Sequence, residues 1–282
     1  MTKQREPVAD SLRASVAGAI PVLEAFLRHE VCKTGFCRAV LGLSGGIDSA
    51  VVAYLAVRAL GADNVYPVIM PYKLSSPASL QHAEMVLADL GLRRIVVEIT
   101  PQIDAYFAGQ QDVTPLRKGN KMARERMSIL FDYSAQHQGL VLGTSNKTEL
   151  LLGYGTQFGD TASALNPIGD LYKTQIRELA AVLGVPTPIC EKAPSADLWE
   201  DQTDEKELGF TYDEADAILH LLTDERLSPE DAAVQSGLPL ELVSQIARRV
   251  RLNQYKRRMP VIAKLSSRTI GIDFRYPRDW GQ

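Results

Sequence analysis

The chain has 282 residues, 45% hydrophobic and 23% charged, which suits one large α/β domain or one domain with a small appendage. Its net charge of −3 argues against bulk nucleic-acid binding, and no stretch approaches the ~18 uninterrupted apolar residues of a membrane span. Three cysteines (Cys32, Cys37, Cys190) make a poor disulfide framework and a poor zinc site; with the polar start MTKQREPVAD, which lacks an apolar signal core, they predict a reducing cytoplasm.

Residues 8–30 predict an amphipathic helix, with Leu12, Val16, Ile20, Leu23 and Leu27 near one face. A buried strand follows at 38–43 and a helix at about 48–60. Between them lies Ser44-Gly45-Gly46-Ile47-Asp48-Ser49, a strand that turns through two glycines into a helix N-terminus. Such a turn binds anions: glycines let the backbone approach closely, free N–H groups point outward and the helix dipole favours negative charge. Ser44 and Ser49 add hydroxyls. Asp48 repels phosphate unless a cation sits between them, which argues for Mg²⁺. The plain alternative is a Gly-Gly turn with Asp48 as N-cap. A Walker loop is excluded, because no Gly-x-x-x-x-Gly-Lys-Ser/Thr occurs.

Further along, Asn64–Met70 and Ile95–Ile99 predict strands separated by a helix at 77–90; a helix at 120–136 leads to a fourth strand, Leu140–Leu142, and Gly143-Thr144-Ser145-Asn146 opens another helix. Strands alternating with helices predict right-handed βαβ crossovers and a parallel sheet flanked by helices in three Rossmann-like layers. Ligands on such sheets sit at strand carboxyl ends, so residues 44–49 and 143–144 are expected to share one cleft. Residues 190–209, charged and aperiodic, predict a mobile loop, with helical patterns at about 212–222, 228–236 and 239–256 beyond it. The whole reads as a single domain, 1–282: an N-terminal helix (1–30), a core (38–190), the loop and a helical C-terminal part (210–282). His29, His82, His137 and His220 sit in no motif.

The segment SGGIDS resembles the pyrophosphate loop of N-type ATP pyrophosphatases, whose fold is adenine nucleotide alpha-hydrolase-like. The segment Lys118-Gly119-Asn120-Lys121-Met122-Ala123-Arg124-Glu125-Arg126-Met127 resembles the KGN-x-x-AR-x-RM run of NAD synthetases, residues 143–149 their GTSN-x-xE segment, and Lys256-Arg257-Arg258 their basic C-terminal segment. The likeness runs in order from about residue 8 to 260. It implies an ATP- and Mg²⁺-dependent ligase that adenylates the nicotinate carboxylate of deamido-NAD⁺, releases pyrophosphate and lets ammonia displace AMP. No side-chain nucleophile is needed, and catalysis is positioning and charge stabilisation.

By the same resemblance, Gly42, Leu43, Ser44, Gly45, Gly46, Ile47, Asp48 and Ser49 bind ATP phosphates; Asp48 and Glu149 hold Mg²⁺; and Thr144, Lys173 and Ser195 contact the nucleotide, Ser195 standing where the family has threonine. Lys173 neutralises the departing pyrophosphate; the plain alternative is a surface lysine in a first helical turn. For Glu149 the plain alternative is a first-turn acid favoured by the dipole. Arg124, Tyr255 and Lys256, with Gln157 and Ala164, are the expected deamido-NAD⁺ contacts, and Arg126 is a weaker candidate. Gln157 and Ala164 depart from the family's Lys and Asp, so a charge is lost at each and the acceptor is in question. The family forms homodimers. At 282 residues there is no room for a glutaminase domain beside the synthetase, so free ammonia is the expected donor, with a separate glutaminase subunit left open.

Two competing readings stand. One is another pyrophosphate-loop amide ligase or thiolating enzyme acting on a different carboxylate or nucleotide. The other is DNA binding by residues 228–243, which read superficially as helix-turn-helix and precede Arg248, Arg249 and Arg251. The second helix opens Pro-Leu-Glu-Leu rather than with polar and basic residues, which argues against it.

Overall fold

Among the described residues four short strands carry the architecture: β1 (Arg38–Gly42), β2 (Val65–Ile69), β3 (Ile95–Val96) and β4 (Gly139–Leu142). All pair parallel, in the order β3-β2-β1-β4, with Ala39 opposite Val65 on one side of β1 and Arg38 opposite Gly139 on the other. The computed structural model describes residues 16, 18–33, 35–195 and 203–274.

Helices cover both faces, as parallel strands require. One face is covered by α2 (Ile47–Leu60), with α1 (Ala19–Cys32), α3 (Pro77–Leu90) and α7 (Lys173–Leu183) packed around it. Helix α2 is apolar from Ala50 to Val57 and buries ten of its residues, as expected of a helix largely enclosed by protein. The other face is covered by α4 (Thr100–Phe107) and α5 (Pro115–His137), over a core of Val40, Tyr66, Val68, Met70, Ile99, Ile103 and Met122. A separate core, built on Leu152, Tyr172, Leu219, Val243 and Ile246, joins the C-terminal helices α10 (Tyr212–Leu219), α11 (Pro229–Ser236) and α12 (Leu240–Leu252) to α6 (Lys147–Leu152).

The three-layer parallel reading holds, with local corrections. The third strand is shorter than Ile95–Ile99. Val97 N and Ile99 N still donate to Ile69 O and Pro71 O, both at 2.9 Å, but Pro71 has no N–H to donate in return and the ladder stops. Helix α4 was not expected. Helix α5 starts at Pro115 rather than 120, because Thr114 Oγ1 accepts from Arg117 N at 3.2 Å and proline suits the first helical position. Within the expected loop 190–209, residues 204–208 form a helix, α9 (Asp204–Leu208), after the short α8 (Thr187–Cys190); residues 196–202 lie outside the described residues, as do residues 8–15 and 17 of the expected N-terminal helix. The third C-terminal helix ends at Leu252, capped by Asn253, and gives way to a 3₁₀ turn at Gln254–Arg257. Among the described residues no helix is long and apolar enough to cross a membrane.

Topology places the site. The chain runs outward from β1 through β2 to β3, then returns to add β4 on the opposite side of β1. The carboxyl ends of β1 and β4 therefore flank the crevice where the winding reverses.

Candidate active site

The loop after β1 has the shape its glycines predict. Gly45 sits at φ +77°, and a Cβ there would lie 2.0 Å from Ser79 O, so only glycine fits against α3. Gly46 is the N-cap of α2, and Asp48 lies in the first turn with its side chain directed elsewhere. The two serines brace the loop: Ser49 Oγ donates to Gly46 O at 2.9 Å and accepts from Ser44 N at 3.2 Å, while Ser44 Oγ accepts from Gly46 N at 3.2 Å.

Asp48 is not an N-cap. Its Oδ1 accepts from Asn146 Nδ2 at 2.8 Å and its Oδ2 lies 2.5 Å from Lys173 Nζ. Lys173 Nζ also stands 3.5 Å from Glu149 Oε1. Lys173 is thus no surface lysine: its side chain is 4% exposed, wedged between two carboxylates and 5.2 Å from the centre of the Tyr212 ring. Burial by itself lowers an ammonium pKa, but the charges of Asp48 and Glu149 outweigh it and leave Lys173 above its ordinary value. Burial and then the Asp48 charge push Glu149 up to about 8, against Lys173 and the Asn146 N–H.

Glu149 is a first-turn acid, the N3 partner of Asn146 in a capping box at the start of α6, and it also faces Asp48 across the cleft. Sequence reasoning missed Asn146 as a site residue, although Asn-x-x-Glu before an apolar run was the available signal. Fully buried, it accepts from Glu149 N at 2.9 Å and donates to Asp48, so it ties the carboxyl end of β4 to that of β1.

A cleft of about 910 Å³ opens from these groups and is lined by Gly42, Leu43, Ser44, Gly46, Ile47, Asp48, Ser49, Thr144, Glu149, Lys173 and Ser195 among others. Arg124, Arg126, Gln157, Tyr255 and Lys256 line it as well. Arg124 Nε donates to Gln157 O at 3.2 Å, and Arg126 Nε to Met70 O at 3.0 Å. Lys256 Nζ is engaged by Gly153 O at 2.7 Å and Gly155 O at 2.8 Å. Two expected contacts lie outside the lining. Gly45 serves the turn instead, and Ala164 is exposed, its N–H donated to Val141 O at 2.9 Å beside β4. Lys192, which donates to Ser79 Oγ at 2.7 Å, also lines the cleft and was missed, since nothing in its aperiodic surroundings marked it.

The basic residues near the C-terminus serve α6. Arg249 donates to Leu152 O at 3.1 Å and Arg257 to Leu150 O and Leu151 O at 3.0 and 2.7 Å, at the negative end of that helix. Val243 and Ile246 of the helix-turn-helix-like pair are core residues.

A family model described as NAD synthase matches residues 19–260. The NH(3)-dependent NAD(+) synthetase of Trichlorobacter lovleyi is 58% identical over 261 residues, 93% of this chain and 95% of that protein. The chain belongs to the NAD synthase family. The corresponding synthetase of Chlorobaculum tepidum is also 58% identical, over 92% of this chain and 93% of its own.

Among solved structures of the family, the NH3-dependent NAD synthetase of Campylobacter jejuni superposes with a TM-score of 0.75 at 36% identity, over 89% of this chain and 99% of that one. The NMN synthetase of Francisella tularensis gives 0.76 at 33%, over 88% and 98%. A glutamine-dependent NAD+ synthetase from Acinetobacter baumannii, with a TM-score of 0.67 at 30% identity, matches 93% of this chain with only 49% of its own length. The sheet and its flanking helices have the adenine nucleotide alpha-hydrolase-like fold of the family.

Proposed function

We propose that this chain is an ammonia-dependent carbon–nitrogen ligase that converts deamido-NAD⁺ to NAD⁺ with ATP and Mg²⁺, acting as a cytoplasmic homodimer. One observation carries the reading: the Asp48–Lys173–Glu149 cluster meets a glycine-shaped loop and helix N-terminus at the sheet's switch point.

The chemistry asks little of the side chains. The nicotinate carboxylate attacks the α-phosphorus of ATP, and the bond to pyrophosphate breaks with its electron pair leaving on pyrophosphate. Ammonia then attacks the acyl carbon, AMP leaves with the C–O electron pair, and the nitrogen loses a proton. Backbone N–H groups at the start of α2 receive phosphate oxygens. Lys173, cationic throughout the neutral range, neutralises negative charge gathering on the departing pyrophosphate. Arg124, Tyr255 and Lys256 line the side of the cleft assigned to deamido-NAD⁺.

Asp48 and Glu149 suit Mg²⁺: they are two hard oxygen donors facing one another, and burial, with the Asp48 charge after it, raises the Glu149 pKa. Among the described residues no group of three His, Cys, Asp or Glu gathers for a metal, and Asp48 and Glu149 are the residues that would hold the ion. The ion supplies charge neutralisation to the phosphates when bound.

The test incubates the pure protein with ATP, Mg²⁺, ammonium and either deamido-NAD⁺ or nicotinate mononucleotide, and follows AMP and amide by chromatography. The second acceptor is included because the Francisella neighbour is an NMN synthetase and because Gln157 and Ala164 lack the family's charges. NAD⁺ and AMP in equal amounts support the reading. AMP formed only with the mononucleotide or another carboxylate moves the chemistry to that acceptor. Glutamine failing to replace ammonium supports free ammonia as donor, and light scattering tests the dimer.

A further inference from the structure

Behind the cleft lie three polar residues with no exposed surface: Thr148 on α6, Thr174 on α7 and Asp216 on α10. Asp216 Oδ1 accepts from Thr148 Oγ1, and Oδ2 accepts from Thr174 N at 2.8 Å. Thr148 Oγ1 in turn accepts from Lys173 N at 2.9 Å. One carboxylate from the C-terminal helices thereby joins the first turns of α6 and α7, one oxygen to each. It also caps, from outside, N–H groups that α7 cannot satisfy itself.

The two turns it joins carry the site. Thr148 precedes Glu149, and Thr174 follows Lys173. The Lys173–Glu149 separation of 3.5 Å is therefore set by how α6 and α7 are held at their starts. Its hydrogen bonds satisfy two buried donors, but a carboxylate that is itself buried, with Arg177 acting on it only through space, is a costly way to satisfy them. Directional hydrogen bonds to two helices do what apolar packing does not, because they fix the angle and register of each turn.

We infer that Asp216 is a positioning residue for the ligase reaction: with Thr148 it sets the start of α7 against the start of α6 and so aims Lys173 at the ATP phosphates and fixes Glu149 beside it. The inference rests on the function proposed above.

The test compares Asp216→Asn, Thr148→Val, Thr148→Ser and the double variant Asp216→Asn/Thr148→Val. Misplacing a reacting group by about 1 Å lowers turnover by about 100-fold. Asp216→Asn and Thr148→Val are expected to lower kcat by about 10- to 100-fold, leaving KM for deamido-NAD⁺ within about twofold, and to weaken ATP–Mg²⁺ binding by about 10-fold in calorimetry. Thr148→Ser keeps the hydroxyl and is expected to retain wild-type values. The double variant is expected to be no worse than the poorer single one, since both break the same link.

Wild-type kcat and ATP affinity in Asp216→Asn or Thr148→Val, with only a lower Tm, overturn the inference. If Asp216→Asn does not fold, the Thr148→Val and Thr148→Ser pair decides alone. The calorimetric arm does not depend on the acceptor, so failure of the unaltered chain to make NAD⁺ refutes the function without touching the Asp216 result.

Discussion

Lys173 and Asp48, 125 positions apart in the chain, meet with Nζ 2.5 Å from Oδ2, and the same ammonium reaches Glu149 at 3.5 Å. Removing it leaves two carboxylates facing each other. Breaking a fully buried pair costs about 3–5 kcal/mol. Asp48 and Glu149 keep 16% and 18% exposure, so the lower end of that range is expected. Lys173→Met should lower Tm in EDTA and recover part of the loss with Mg²⁺, which takes over the neutralising charge. Pyrophosphate release should fall by about 10²- to 10³-fold, the loss typical of one preorganised electrostatic contact. Unchanged thermal stability in EDTA would show that the carboxylates do not depend on this cation.

Asn146 separates local from tertiary roles. Asn146→Asp keeps an N-cap acceptor for Glu149 N but replaces the Asp48 hydrogen bond with repulsion. The helix start should survive while turnover drops by about 10- to 100-fold. Asn146→Ala removes both contacts and should add about 1 kcal/mol of destabilisation from the lost cap. Chemical denaturation and steady-state rates on the two variants separate the effects. Equal loss of stability in both would contradict the division.

Gly45 and Gly46 look alike in sequence and differ in space. Gly45→Ala meets positive φ and a backbone oxygen at 2.0 Å, so the loop or α3 must move. Gly46 is at φ −90°, and an added Cβ meets only Ser44 Oγ at 3.3 Å. Gly45→Ala should destabilise by more than about 2 kcal/mol and abolish ATP binding, whereas Gly46→Ala should fold normally. Similar melting curves would overturn the steric argument.

Asp216 also predicts a pH dependence. Burial pushes its carboxyl up to about 6, against hydrogen bonds from Thr148 and Thr174 and the charge of Arg177. Because the folded pKa lies above the unfolded value, the folded state holds the extra proton between the two. This contribution is present below about pH 4 and is lost as pH rises through about 6, roughly 3 kcal/mol in all. Relative to Asp216→Asn, which does not titrate, the wild type should lose stability from pH 4 to 7. Urea denaturation at three pH values checks the sign, and a gap independent of pH would refute it.

Sequence alone determined what depends on neighbours along the chain. The run Ala39–Leu43 and the residues after Gly46 are apolar enough to mark a buried strand and an enclosed helix. Two glycines between them suffice for an anion-binding turn, and ordered motifs from 44 to 258 identified the family's loop, helix and basic segment. Tertiary structure decided what depends on partners far along the chain. Asp48 as cap or site carboxylate and Lys173 as surface or buried cation have equal local descriptions; they differ only in what lies opposite. Asn146 and Asp216 were invisible for the same reason. Helix capping needs only neighbours within a turn, but one carboxylate joining the starts of α6 and α7 needs the fold that brings residues 148, 174 and 216 together.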